Sequence, residues 1–281
     1  MYTIIADIGS SKSTWTALNK TSHKTFTTKG FNPNYQSKTE IQNILSEVHS
    51  YFCDFRITSC SIYGAGIDQE SSKLVLSDLL HKIFKHLQSL SIENDLLAAA
   101  RSCYSDNESG VIAILGTGSN VKLYRNGVLH GESHSLGYIL GDEGAGVAFG
   151  KEIVKALVYQ NFPKEIIEQT TVFNISKSEI IDRVYKQPYP QQFLAQFAKF
   201  CHPYKTHPFI KGLLIKNFKS FIETHLLKIK EIQNKDIKFV GSMAFYFREA
   251  LEIAAKEHQI NIKQISQNPQ NGLISYHKNK L

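Results

Sequence analysis

Short apolar runs with period two alternate along this chain with longer stretches of helical spacing. Residues 2–8 and 14–18 read as two strands of a hairpin, and 23–29 (His-Lys-Thr-Phe-Thr-Thr-Lys) as a third strand of alternating character. Residues 30–34 form a turn-rich loop in which Pro33 holds Asn32 extended and delays the next helix. That helix is predicted over 39–53, with Ile41, Ile44, Leu45 and Val48 on one face. A buried strand ending in a glycine turn follows at 59–66, then an amphipathic helix at 71–88. A short strand at 90–95 ends on Asn94-Asp95, and helix resumes over 96–103.

The second half opens as the first does. Residues 110–124 read as an apolar strand, a Gly116-Thr117-Gly118-Ser119 turn and a second strand. This repeat implies two related lobes with a ligand held between them. A glycine-rich stretch at 137–150 leads into mostly helical sequence over 151–230. A strand at 237–240 then ends in Gly241-Ser242 and feeds a helix at 243–258. The lobe boundary is expected near 104–108.

Composition narrows the class. At 281 residues the chain is long enough for about two domains, and 42% hydrophobic with 20% charged residues describes a globular protein with a proper core. No apolar run approaches the ~18 residues that span a membrane. The N-terminal apolar residues lack a basic lead and break at Asp7, so no signal peptide is expected. Cys53, Cys60, Cys103 and Cys201 are scattered without a C-x-x-C pair and read as reduced thiols in a cytoplasmic protein. The net charge of +7 is spread over amphipathic stretches, notably 205–238 and 256–280, and no basic stripe interleaved with aromatics appears. Neither nucleic acid nor membrane is an expected partner.

The candidate chemistry sits in the turns. Asp7 ends an apolar strand, where a carboxylate can hold magnesium through water. Gly9 permits close backbone approach, and Ser10, Ser11, Ser13 and Thr14, with Lys12, supply donors for phosphate. An ordinary Gly-Ser hairpin turn has the same composition. Gly241-Ser242 offers a third close approach with a helix N-terminus behind it. With neither a P-loop nor a G-x-G-x-x-G run, a nucleotide site has to be built from separate turns. Asp95, between strand and helix, suits either a general base for a sugar hydroxyl or a helix N-cap. Asp142 and Glu143, set between glycines, fit either a functional carboxylate pair or a surface turn or capping motif before a helix expected over 147–158. Asn32 and Asn34 can hydrogen-bond a polyol or serve only the turn beside Pro33. His130 and His134 are four apart, but Gly131 argues against a helix there, and no zinc site is expected.

Five motifs taken together carry a resemblance: Asp-Ile-Gly-Ser-Ser-Lys-Ser at 7–13, Asn94-Asp95, Ile-Leu-Gly-Thr-Gly-Ser-Asn at 114–120, Leu-Gly-Asp-Glu-Gly-Ala-Gly at 140–146 and Val-Gly-Ser at 240–242. In this order, over nearly the whole chain, they resemble the BadF/BadG/BcrA/BcrD-type ATPases, and within them the N-acetylglucosamine kinase-like branch of the actin/hexokinase superfamily. The resemblance implies an α/β fold of two ribonuclease H-like lobes, each a mixed sheet flanked by helices, with the active site in the cleft between them. The lobes would span 1–105, joined by the tail 268–281, and 106–267. It implies ATP and Mg2+ as cofactors and an amino sugar, N-acetylglucosamine foremost, as acceptor. Asp7 would order the metal and Asp95 act as base. Residues 9–13 and 116–119 would form the phosphate loops, and Gly241-Ser242 would border the adenosine. Asn32, Gly137 and Asp142 would line the sugar pocket, with Thr117 and Gly118 nearby. The first loop departs from the family pattern of a second Gly and a Thr, having Ser10 and Ser11. Leu136-Gly137-Tyr138 replaces a Trp-Gly-His segment at the sugar contact. A homodimer is the default assembly. Two other classes share the motifs: an ATP-driven activator of a redox enzyme, whose relatives hold an iron–sulfur cluster with cysteines, and a non-catalytic sugar or nucleotide sensor.

Overall fold

The computed structural model describes every residue except 10, 11, 34, 35, 68, 133, 231 and 233–235. In chain order the first elements are β1 (Tyr2–Ile8), β2 (Lys12–Leu18), β3 (His23–Lys29), α1 (Lys38–Tyr51), β4 (Ile57–Gly64), α2 (Glu70–Ile83), β5 (Ser89–Asn94) and α3 (Asp95–Cys103). Then come β6 (Ser109–Leu115), β7 (Ser119–Arg125), β8 (Val128–His130), α4 (Gly137–Leu140), α5 (Gly146–Val158), α6 (Lys164–Ile167), α7 (Lys177–Tyr185), α8 (Pro190–Cys201) and α9 (Pro208–Thr224). The last are β9 (Ile237–Val240), α10 (Ser242–Tyr246), α11 (Arg248–Glu257), β10 (Ile262–Ser266) and α12 (Gln270–Lys278). Two compact units result: Met1–Glu108 with Asn126–Val128 and Pro269–Leu281, and Ser109–Arg125 with Leu129–Asn268. Among the described residues no helix is long and apolar enough to cross a membrane.

Each unit carries a mixed five-stranded sheet, and the two sheets have the same order. The first runs β3-β2-β1-β4-β5 and the second β8-β7-β6-β9-β10. In each, the opening strand pairs antiparallel with the next and parallel with the strand that returns later. The repeat read from the two strand–turn–strand segments is therefore a repeat of topology.

In the first unit, β1 is central and buries Ile4, Ile5, Ala6 and Ile8, the near-continuous apolar run of a strand covered on both faces. Trp15 on β2 is fully buried, and its Nε1 donates to Thr28 Oγ1 at 3.0 Å, which satisfies the indole. The outer strand β3 is mostly exposed and rich in Lys and Thr, as edge strands are. Helix α1 begins at a capping box between Ser37 and Glu40, and buries the expected face of Ile41, Ile44, Leu45 and Val48. In the second unit, β6 and β9 pack against α5, α8 and α9 through a core containing Leu115, Phe149, Phe197, Phe218 and Phe239.

Several elements differ from the sequence reading, each for a local reason. Strand β2 starts at Lys12, because Ser13 and Thr14 pair across with Ile8 and Asp7; these hydroxyl residues belong to the ladder and not to the turn. Strand β5 ends at Asn94, and Asp95 is already helical. The helix expected over 71–88 stops at Ile83, where Phe84 is buried and the Leu87 N–H folds back to the Phe84 carbonyl at 3.0 Å. The helix expected over 243–258 is split at Phe247, whose buried ring packs against Phe149. Helix α5 (Gly146–Val158), by contrast, matches the helix expected over 147–158 to within one residue. Strand β10 was not foreseen: Lys263 and Gln264 interrupt its short apolar pattern, as suits the outermost strand of the second sheet.

Candidate functional site

The first unit gathers carboxylates at the carboxyl ends of its parallel strands, where α/β sheets bind ligands. Ile8 of β1 lies beside Gly64 of β4, and Gly64 beside Asn94 of β5. Asp7 and Asp95 therefore sit at one sheet edge, two strand spacings or about 10 Å apart along the hydrogen-bonding direction. The side chain of Asn94 accepts the Leu97 N–H at 2.8 Å, so Asn94 makes the helix cap and Asp95 occupies the first turn beyond it. The capping alternative for Asp95 falls away. Burial and the negative charge of Asp95 push the Asp7 carboxyl up to about 7, against the lowering influence of Lys12.

The first turn joins β1 to β2, on the side of β1 away from β5. The Gly9 N–H donates to the Lys12 carbonyl at 3.0 Å, while Ser10 and Ser11 lie outside the described residues. The Ser13 hydroxyl is wholly buried and has no hydrogen-bond partner among the described residues, an uncommon state for a polar atom and one that a ligand oxygen would relieve. Asp7 offers carboxylate oxygens whose negative charge burial and Asp95 disfavour, a hard oxygen donor set that a cation would stabilise. That set fits Mg2+, which takes one or two carboxylates and fills its remaining positions with water and phosphate oxygens.

The second unit builds its own turn. The Gly116 N–H closes on the Gly118 carbonyl at 3.0 Å, and the Gly116 and Thr117 carbonyls accept the Gly146 and Val147 N–H groups at 2.8 and 3.1 Å. The turn is thereby fastened to the start of α5. Asp142 is buried and takes the Ser119 N–H on Oδ1 at 3.0 Å. Burial raises its carboxyl above the usual range, opposed by that hydrogen bond and by Lys151. Gly118 lacks a side chain where a Cβ would come within 3.1 Å of the Asp142 carboxylate. Gly241 follows β9 with φ +130°, and a Cβ there would lie 2.3 Å from the Leu115 carbonyl oxygen. Only glycine permits this approach of the third turn to the second. Ser242 opens α10 and is exposed.

The residues expected to meet the sugar are placed unevenly. Thr117, Gly118 and Asp142 come together in the second turn. Gly137 is exposed at the start of α4, at φ +73°, amid exposed Leu136, Ile139 and Leu140. Asn32 is in the first unit, where its N–H donates to Gln36 Oε1 at 2.7 Å; Asn34 lies outside the described residues. The sequence reading missed Asn217, which bonds Gly144 and Ala145, and His225, whose Nε2 lies 2.9 Å from Glu143 Oε2. Their signal is a polar residue at helical spacing within the apolar pattern of α9.

No family model matches the chain. A structure from Porphyromonas gingivalis, provisionally named an N-acetylglucosamine kinase, is 30% identical over 98% of each chain, with a TM-score of 0.90. The chain belongs to the N-acetylglucosamine kinase-like family of actin-like sugar kinases. A Dictyostelium discoideum N-acetyl-D-glucosamine kinase is 33% identical over 92 residues, which is 32% of this chain and 28% of that protein, so the match spans under a third of the relative's length. A Streptomyces griseus ROK family glucokinase, solved with glucose and AMPPNP, shares the fold at 12% identity and a TM-score of 0.60, with 98% of each chain covered.

Proposed function

We propose that the protein transfers the γ-phosphoryl group of ATP to an amino sugar, with N-acetylglucosamine and its 6-hydroxyl as the leading acceptor. The observation that carries this reading is the pair Asp7 and Asp95 at one sheet edge, with the helix cap made by Asn94 instead of Asp95. Family membership supports the reaction class, and the relatives' names supply the sugar.

In this reading Asp95 takes the proton from the acceptor hydroxyl. The sugar oxygen then bonds to the γ-phosphorus as the bond from that phosphorus to the ADP oxygen breaks. Gly9 through Ser13 and Gly116 through Ser119 hold phosphate oxygens with N–H and hydroxyl donors, and Gly241-Ser242 borders the adenosine. Asn32, Thr117, Gly118 and Gly137 face the sugar. Asp142 has Oδ2 left for it, because Oδ1 is taken by the Ser119 N–H. Asp7 would hold Mg2+, which supplies neutralisation of phosphate charge when bound.

Two of the four thiols speak against the redox-activator alternative. Cys60 and Cys201 are buried in the cores of their own units, and burial pushes both up to about 12. Neither offers a thiolate at a surface for a cluster. The test is ADP release in the presence of Mg2+ and a panel of N-acetylglucosamine, N-acetylmuramic acid, glucosamine and glucose. Stimulation by an N-acetylated amino sugar is expected; no stimulation by any sugar would remove the kinase reading.

A further inference from the structure

Helix α9 grips the loop that carries Asp142 through one polar-aromatic stripe. Asn217 and Phe221, four residues apart, share a face of α9, and His225, the residue that caps its C-terminal end, continues the spacing. They meet the loop in reverse chain order. Asn217 donates from Nδ2 to the Ala145 carbonyl at 3.2 Å and accepts the Gly144 N–H on Oδ1 at 3.1 Å. Phe221 packs so closely on Gly144 that a Cβ there would lie 2.7 Å from the Phe221 Cβ. His225, buried, brings Nε2 to 2.9 Å from Glu143 Oε2.

The residues on either side of that gripped stretch hold the second turn. Asp142 fixes Ser119, Gly146 fixes Gly116 and Val147 fixes Thr117. The loop and the start of α5 thus connect α9 to every residue of the turn except Gly118, which has room only because it lacks a side chain beside Asp142. An irregular loop has no ladder of its own, so its backbone groups take partners from side chains. Asn217 is suited to this because one amide both donates and accepts on adjacent backbone groups. A helix-anchored loop gives the turn a rigid seat, and phosphoryl transfer is sensitive to a misplacement of about 1 Å, which can cost ~100-fold in rate.

We infer that Asn217 and His225 are positioning residues, acting through the 142–146 loop on the Gly116–Ser119 turn. The activity part of this inference rests on the kinase reading; the structural part does not. The experiment compares the full-length wild type with Asn217→Ala, His225→Ala and His225→Gln. It measures steady-state kinetics with ATP and N-acetylglucosamine, and backbone amide hydrogen exchange of 116–119 and 142–147.

The expected result for Asn217→Ala is a fall in kcat of ~10-fold or more with less than about threefold change in sugar KM. Exchange should quicken at Ser119, Gly146 and Val147 while β6 and β9 keep their protection. His225→Gln, which retains a donor toward Glu143, should keep more activity than His225→Ala. Unchanged exchange at the turn overturns the inference, and so does quickened exchange throughout the second unit, which would mark a purely structural role. If the wild type shows no sugar-dependent turnover the kinase reading fails, and the exchange pattern alone then decides the positioning claim.

Discussion

Replacing Asp7 by Asn should stabilise the protein while removing its activity. The Asp7 carboxyl is lifted from its usual 3.8 to about 7, first by burial and then by Asp95. Folding therefore favours the protonated form, and the native state holds more protons than the unfolded chain between about pH 4 and pH 7. Stability from this group is fully present below pH 4 and is lost as pH rises through 7. Each tenfold change in proton affinity is worth about 1.36 kcal/mol, so the ionised carboxylate costs the fold at most ~4 kcal/mol above pH 7. Water reaching the partly exposed side chain reduces that penalty, so a gain on the order of 1–3 kcal/mol is expected for Asp7→Asn at pH 8. At ~2–4 °C per kcal/mol for a domain of this size, Tm should rise by several degrees. The assay is thermal and urea unfolding of wild type and variant in EDTA at pH 4 and pH 8. The difference should be largest at pH 8 and close to zero at pH 4. A variant less stable than wild type at pH 8, or an equal difference at both values, would refute the electrostatic reasoning. The same variant should lose sugar-dependent ADP release, the trade-off expected where a functional group is held at a cost in stability.

Other perturbations probe different parts of the account. Gly241→Ala puts a Cβ 2.3 Å from the Leu115 carbonyl at φ +130°; a loss on the order of 3 kcal/mol or more is expected, read as a lowered Tm, and a wild-type melt would show that the third turn is not pressed against the second. Asp142→Ala strands the buried Ser119 N–H, which should cost ~1–3 kcal/mol in urea unfolding and reduce turnover more than Tm alone explains. His277 is held near 4 by burial and by the charges of Arg101 and Lys280, so its contribution is present above pH 6.5 and is lost as pH falls toward 4. A His277→Gln variant should flatten the acid side of the stability curve by up to ~3 kcal/mol, and an unchanged acid limb would contradict that burial.

Much of this architecture was legible because strong local signals agreed with the final fold. The apolar run before Asp7 and its echo before Gly116 predicted two strands with turns behind them, and each proves to be the central strand of its sheet. The face of α1 was readable because Ile41, Ile44, Leu45 and Val48 follow helical spacing. What stayed hidden depended on partners far along the chain. Strand β10 has little intrinsic pattern and forms because β9 offers it a ladder. The break at Phe247 reflects its packing against Phe149, nearly a hundred positions earlier, which no local propensity encodes. At the candidate site, the division of labour between neighbours was not legible: Asn94, not Asp95, caps α3, and the carboxylate at 142 braces the Ser119 N–H. Asn217 escaped notice because its value lies in two backbone groups of a distant loop.

The central claim is that Asp95 deprotonates a sugar hydroxyl for attack on ATP, and product analysis tests it most directly. Wild type and Asp95→Asn are incubated with ATP, Mg2+ and N-acetylglucosamine, and the mixtures are analysed by mass spectrometry for a phosphorylated sugar. The wild type should yield a sugar phosphate and Asp95→Asn a rate lower by ~100-fold or more, with ATP binding retained. ATP hydrolysis without any phosphorylated sugar, or an Asp95→Asn variant as fast as wild type, would contradict it.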